Sequence, residues 1–289
     1  MRLDAECKDC LFNSQLKKVE REQTDLKKLK TFKEGVRELC ANPPPDYCAP
    51  LLMRDIDRLH KKIFGKGIDY SREKAAFNKK LLCLEDELFA EVTSAPDPVE
   101  RALAFAMSAN YIDFARLCDL DGESVELVLE AAKKANPDGA TLEKFKRKLK
   151  EAKTLLYLHD NCGEIVLDKI LIRVIKKLYP QIEVTSVVRG SPIINDVTRA
   201  DAAAVGLEKY AKVIDNGTDV PGTYLKEVSP EIISLLKTSD VTVSKGLGNL
   251  ETLFGEGYEI FYAFNCKCDH IAERFSYPLW SAAFVYSIT

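Results

Sequence analysis

The stretch "TLLYLHDNCGEIVLDKILIRVI", Thr154 to Ile175, decides the fold. Its first six residues form a short apolar run, Asp160-Asn161-Cys162-Gly163-Glu164 form a polar turn, and apolar residues then recur at helical spacing from Ile165 to Leu178. Strand, turn and helix in that order open a βαβ unit. An ordinary turn of this kind needs only a glycine and a helix cap. An acid, an amide and a second acid at the mouth of a buried strand ask for a further reason.

Four more apolar runs follow: "IEVTSVV", "AKVID", "VTVS" and "YEIFYAF". Helical patterns such as Glu231 to Lys237 lie between them. This alternation predicts a Rossmann-like, three-layer α/β domain over residues 153–289, with a mostly parallel sheet covered by helices. Upstream the period is helical throughout. Leu26, Leu29, Val36 and Leu39 share one helix face, as do Leu52, Ile56, Leu59 and Ile63, and Phe77, Leu81, Leu84 and Leu88. Breaks at "NPPPDY", "FGKGIDY", "SAPDP", "CDLDGES" and "ANPDGAT" divide residues 1–152 into six or seven helices. The fold class is therefore α/β, an all-helical N-terminal domain packed on the sheet domain, with no flexible linker at the change of period.

The chain has 289 residues, 46% hydrophobic and 30% charged, with a formal net charge of −3. That balance suits a globular protein and offers no whole-molecule attraction to nucleic acid or an anionic membrane. No apolar stretch reaches the length of a membrane span, and "MRLDAECKDC" lacks the apolar core of a secretion signal, so the expected compartment is the cytoplasm. Nine cysteines, odd in number and scattered, point to reduced thiols. Cys7/Cys10 and Cys266/Cys268 would make a structural zinc or iron–sulfur site only if the N-terminal segment folded over the sheet edge. Two unrelated thiol pairs are the simpler reading. The three histidines, His60, His159 and His270, make no His-rich metal centre unless they converge, and His159, next to Asp160 on a strand, should point to the opposite face.

In an open α/β sheet, ligands bind where the strands end. The mouths here carry Asp160-Asn161 with Gly163 and Glu164; "RGSPIINDVTRADA" with Asn195-Asp196; "NGTDVPGT" with Asp219; and "KGLGNLET" with Lys245 and Asn249. Carboxylate and amide oxygens suit Mg²⁺ or Mn²⁺, with Co²⁺ or Ni²⁺ as further candidates. Gly-rich turns opening helices, together with a lysine, suit phosphate. Each motif alone reads as a helix cap or a turn. Their recurrence at four consecutive strand mouths favours a site.

"DNCGEIVLDK", "GSPIINDVTRADA", "DNGTDVPGT" and "KGLGNLETL", in this order, resemble the motifs of the DUF89 family of metal-dependent damage-control phosphatases. "CKDCLFNSQ" resembles the N-terminus of its archaeal and bacterial branch. The resemblance spans essentially the whole chain and implies a divalent-metal phosphatase acting on small phosphorylated metabolites, sugar phosphates foremost. It places Asp160, Asn161 and Asp196 on the metal ligands and Lys245 on the phosphate-binding lysine. Gly163, Glu164, Asn195, Asp219 and Asn249 fall within the matching motifs. Cys162 departs from the usual Ala or Ser, at a position that supplies no ligand. The attacking group would be water or a carboxylate such as Asp160; Asp-Asn in place of Asp-x-Asp favours water. The competing readings are an S-adenosylmethionine-dependent carboxyl methyltransferase, weakened by a first turn with a single glycine, and a non-catalytic metabolite-binding protein.

Overall fold

A computed structural model describes residues 1–108 and 130–287. The helical half comprises α1 (Ala5–Glu22), α2 (Leu26–Ala41), α3 (Ala49–Phe64), α4 (Ser71–Ser94), α5 (Pro98–Ser108) and α6 (Gly139–Glu151). Its boundaries follow from local chemistry. Asp4, Asp25 and Asp138 cap α1, α2 and α6 by accepting first-turn N–H groups. Asp97 does the same for α5, at 3.1 Å from Val99 N and 3.0 Å from Glu100 N. The expected break at "CDLDGES" lies outside the described residues.

From Thr154 strands and helices alternate. β1 (Thr154–Leu158), β2 (Glu183–Val188), β3 (Lys212–Asp215), β4 (Val241–Lys245), β5 (Ile260–Asn265) and β6 (Ala282–Ser287) are joined through α7 (Glu164–Leu178), α8 (Arg199–Ala204), α9 (Pro230–Thr238), α10 (Gly246–Leu253) and α11 (Asp269–Phe275). The sheet order is β3-β2-β1-β4-β5-β6. β1 to β5 are parallel, and β6 pairs antiparallel with β5. β6 is absent from the sequence expectation. "AAFVYS" is an edge strand, only half its positions buried, and gives neither a continuous apolar run nor a strict alternation.

Strand parity distributes the core. Leu155 and Tyr157 of β1, Val241 and Val243 of β4 and Phe261 of β5 face α4 to α7, against Phe77, Leu81, Phe105, Phe145 and Ile165. Leu156, Leu158, Tyr262 and Phe264 face the other way, against Ile232, Leu250 and Ile271 of α9 to α11. α7 lies between the sheet and the pair α4 and α5, which explains why "EIVLDKILI" is buried on every side. Burying side chains such as Leu81 and Phe105, each 0% exposed, contributes about 1.5–3 kcal/mol apiece. Packing thus runs across the change of period at residue 152. A third core, with Leu16, Val19, Phe32, Val36, Leu52 and Ile56, joins α1 to α3. α3 then anchors this trio at the strand mouths, where Cys48 and Leu51 pack on Val220. Among the described residues no helix is long and apolar enough to cross a membrane.

Candidate functional site

β1 and β4 are neighbours at the centre of the sheet, and the chain leaves them in opposite directions, to β2 and to β5. A crevice opens where connections diverge in this way. It holds a cavity of about 220 Å³ lined by Asp160, Asn161, Asn195 and Asp196 on one side and by Leu247, Gly248, Glu251 and Lys267 on another. Leu11 of α1 and Ala49, Pro50 and Met53 of α3 give it an apolar wall.

The two acid-bearing loops are tied by their backbones. Val197 N donates to Asp160 O and Cys162 N to Asn195 O, both at 2.9 Å, and Asn161 and Asp196 form an isolated antiparallel bridge. Lys74 of α4 secures the second loop, reaching Asp196 O at 2.9 Å and the Asp201 carboxylate at 2.6 Å. Ile194, on the cavity wall, holds φ at 45°. A β-branched residue rarely adopts that region, and the strain costs on the order of 1–3 kcal/mol.

Arg189 is the residue that sequence reasoning missed most clearly. It follows β2 directly, is 1% exposed, and lies between the two acids. Nε donates to Asp196 Oδ2 at 2.6 Å and Nη1 to Asn249 Oδ1 at 3.2 Å, while Nη2 stands 3.6 Å from Asp160 Oδ1. Nη2 makes no hydrogen bond among the described residues. Asn249 in turn donates to His159 O at 3.0 Å and Lys245 O at 2.8 Å, so it ties β1 to α10 and does not face the cavity.

Lys245 also turns inward. It is 1% exposed and donates to Asp168 Oδ1 at 2.8 Å and Glu164 Oε2 at 3.3 Å. Parity explains this: Lys245 continues the face of Val241 and Val243, which is covered by α7, and Glu164 and Asp168 lie one turn apart on α7. His159 shares the face of Leu155 and Tyr157 and meets Asp168 Oδ2 at 3.0 Å and Ser186 Oγ at 3.0 Å. Lys245, expected to meet substrate phosphate, thus has its ammonium held by two carboxylates and is absent from the cavity lining. Lys267, two residues beyond β5 and half-buried, is the lysine on the cavity. Nothing local in "NCKCDH" marks this lysine out.

Two further expected residues lie apart from the cavity lining. Asp219 forms a bidentate pair with Arg58 of α3, at 2.7 and 3.0 Å, and helps fasten the helical trio. Gly163 has φ of 83° and donates to Asn78 Oδ1 at 2.6 Å. A Cβ there would come within 1.7 Å of the Phe77 ring, so the absence of a side chain admits α4. Gly246 (φ 77°) instead makes room for Asp160, whose Oδ2 would lie 1.9 Å from an added Cβ.

The electrostatics are those of a crowded anionic site. Burial, then the neighbouring Glu164 and Asp196 carboxylates, push the Asp160 carboxyl up to about 8. Burial raises Asp196 too, against the pull of Arg189. Burial acts likewise on Asp168, but Lys245 and His159 outweigh it and hold that carboxyl below the usual range. Burial disfavours the Lys245 ammonium, yet Asp168 and Glu164 leave its pKa above the ordinary lysine value. Asp196 and Asp160 lie against Arg189, and Glu164 and Asp168 against Lys245 with His159 beside Asp168, while Lys267 and Lys74 pull on Asp160 and Asp196 from farther off. The crowding that raises Asp160, with the oxygen donors of Asp160, Asn161 and Asp196 at that end of the cavity, fits a hard divalent ion.

Among the described residues no group of three or more His, Cys, Asp or Glu side chains is placed to hold a metal. The set Asp160, Asn161 and Asp196 contains two acids and an amide. The cysteines do not assemble into a site of their own. The N-terminal segment does reach the end of β5, through Asp4 and His270 at 2.9 Å. Cys7, Cys10, Cys266 and Cys268 nevertheless remain free thiols.

Comparison with known proteins agrees with this architecture. The damage-control phosphatase ARMT1-like domain matches residues 3–279. An uncharacterized protein of Methanocaldococcus jannaschii is 32% identical over 230 residues, 76% of this chain and 73% of its own. A damage-control phosphatase of Pyrococcus horikoshii is 36% identical over 183 residues, 62% of each chain, and one of Archaeoglobus fulgidus is 30% identical over 227 residues, 74% and 75% of the two chains. The crystal structure of a DUF89 family protein from Pyrococcus horikoshii superposes with a TM-score of 0.83 over 99% of both chains, at 26% identity. From its motifs, its fold and these matches together, the chain belongs to the damage-control phosphatase ARMT1-like, or DUF89, family.

Proposed function

We propose that this protein is a divalent-metal-dependent phosphatase that hydrolyses small phosphorylated metabolites, sugar phosphates foremost, in metabolite damage control. The observation that carries the reading is the meeting of Asp160, Asn161 and Asp196 with Lys267 and the first turn of α10 around one cavity at the sheet's switch point. Two relatives named damage-control phosphatases support it.

Asp160, Asn161 and Asp196 would hold Mg²⁺ or Mn²⁺, with Co²⁺ or Ni²⁺ as substitutes. When bound, such an ion draws charge from the phosphoryl oxygens and makes a water a better nucleophile. The chain's own groups do the rest. Lys267 meets the remaining phosphate charge as an ammonium on a flexible stem. α10 begins without a side-chain cap, so its first N–H groups are available to phosphate oxygens and its dipole favours them. Arg189 keeps the Asp160 and Asp196 carboxylates in place between their loops. Leu11, Pro50 and Met53 supply the apolar side of the cavity, against which the non-phosphate part of a substrate can pack.

A methyltransferase reading fits less well. Its cofactor would need backbone approach at the first βα turn, and there the Phe77 ring occupies the space beside Gly163. A purely binding role gives no reason for the carboxylate crowding that raises Asp160. Asp196→Ala tests the assignment. Calorimetry should show loss of Mn²⁺ binding and an assay should show loss of phosphate release; survival of both would remove Asp196 from the site.

A further inference from the structure

The inward turn of Lys245 leads back to the cavity through two side chains. Its ammonium donates to Glu164 Oε2 at 3.3 Å. Glu164 Oε1 accepts from Asn161 Nδ2 at 2.9 Å, and the same amide nitrogen donates to Asp160 Oδ2 at 2.7 Å. An amide NH₂ has two protons, and both are committed to carboxylates. Asn161 Oδ1 is thereby turned away from them; the flipped amide would set its oxygen against two carboxylate oxygens. Asp168 does not compete for this arrangement. It already receives Tyr157 OH at 2.8 Å and His159 Nδ1 at 3.0 Å, besides Lys245 at 2.8 Å. The charge of Lys245 is thus shared between an anchored acid, Asp168, and an acid that acts on the cavity wall, Glu164.

We propose that Lys245 is a positioning residue for the metal site: acting through Glu164, it fixes the amide of Asn161 with its oxygen presented to the ion. The inference rests on the metal reading above. Without the ammonium, Glu164 is an uncompensated buried carboxylate that turns to other partners, and the amide loses its lock. Outer groups that orient metal ligands affect affinity by about 10–100-fold. They do so whether or not phosphate is present, which separates this role from phosphate binding.

The test is Mn²⁺ calorimetry on metal-stripped wild type, Lys245→Met, Glu164→Gln and the double variant, with a melting curve for each and Asp160→Ala as control. Each single change should weaken Mn²⁺ by about 10–100-fold, and the double change should weaken it no further than the stronger single one, because both cut one route. Should Lys245→Met fail to fold, Lys245→Met/Asp168→Asn removes the second unbalanced charge and takes its place in the cycle. Mn²⁺ affinity within about twofold of wild type in either single variant, or independent losses that multiply in the double, would overturn the proposal. If wild type binds no Mn²⁺, or Asp160→Ala binds it as well as wild type, the metal reading falls and takes this inference with it. If the control loses binding and the variants keep it, only the role of Lys245 falls.

Discussion

Replacing Arg189 with Met probes the charge balance of the site. The guanidinium is 1% exposed, 2.6 Å from Asp196, 3.2 Å from Asn249 and 3.6 Å from Asp160. Met keeps an unbranched apolar stem, so the change removes charge and hydrogen bonds more than packing. Breaking a buried ion pair by deleting one member costs about 3–5 kcal/mol, because the other charge is left uncompensated. A divalent ion between the same carboxylates supplies the missing positive charge, and at a hundred times its Kd a ligand adds about 2.7 kcal/mol to stability. Urea unfolding of metal-stripped Arg189→Met should therefore show a lower midpoint at unchanged slope, equivalent to about 3–5 kcal/mol. Saturating Mn²⁺ should shrink that deficit. A loss under about 1 kcal/mol, or a deficit that Mn²⁺ leaves unaltered, would refute the balance described for this site.

Three other outcomes follow from the geometry. Gly163→Ala combines a left-handed backbone with a methyl 1.7 Å from Phe77; about 1–2 kcal/mol of backbone strain and about 1–3 kcal/mol of overpacking should appear in urea unfolding, and a near-neutral result would mean that α4 moves away at little cost. Lys267→Met should weaken inhibition by inorganic phosphate by about tenfold to a hundredfold, the loss of a charged hydrogen bond, with Mn²⁺ affinity nearly unchanged; equal phosphate inhibition in both proteins would remove Lys267 from the phosphate site. Asp168 is held below the usual carboxylate range in the fold, so it stabilises at neutral pH and this contribution is lost as pH falls through its folded value. The stability gap between wild type and Asp168→Asn should be full above about pH 4 and close below it; a gap that widens in acid would give the shift the opposite sign.

Much of the fold is legible in the sequence because period reports burial. Five apolar runs became β1 to β5 within a residue or two at each end, and the Pro, Gly and Asp clusters among the described residues became helix boundaries. β6 escaped because an edge strand buries too little to leave a pattern. At the site, Asp160, Asn161, Asn195 and Asp196 could be found by position alone, since they follow strands whose ends converge. Lys245 ends β4 and Asn249 follows it, but the face each side chain takes depends on strand parity and on what α7 presents. That signal was available: Lys245 has the parity of Val243, and Glu164 and Asp168 have helical spacing. Arg189 and Lys267 were less visible. Their roles depend on which loops meet across the sheet, and nothing local in "VVRGS" or "NCKCD" carries that information.

The most direct test of the central claim is phosphate release by EDTA-stripped protein from a panel of sugar phosphates and a generic aryl phosphate, with Mg²⁺, Mn²⁺, Co²⁺ or Ni²⁺ restored in turn and Asp160→Ala alongside. Turnover that requires a restored ion and disappears in Asp160→Ala is the predicted result. Turnover unaffected by EDTA or by the substitution, or no turnover with any ion in a folded protein, would contradict it.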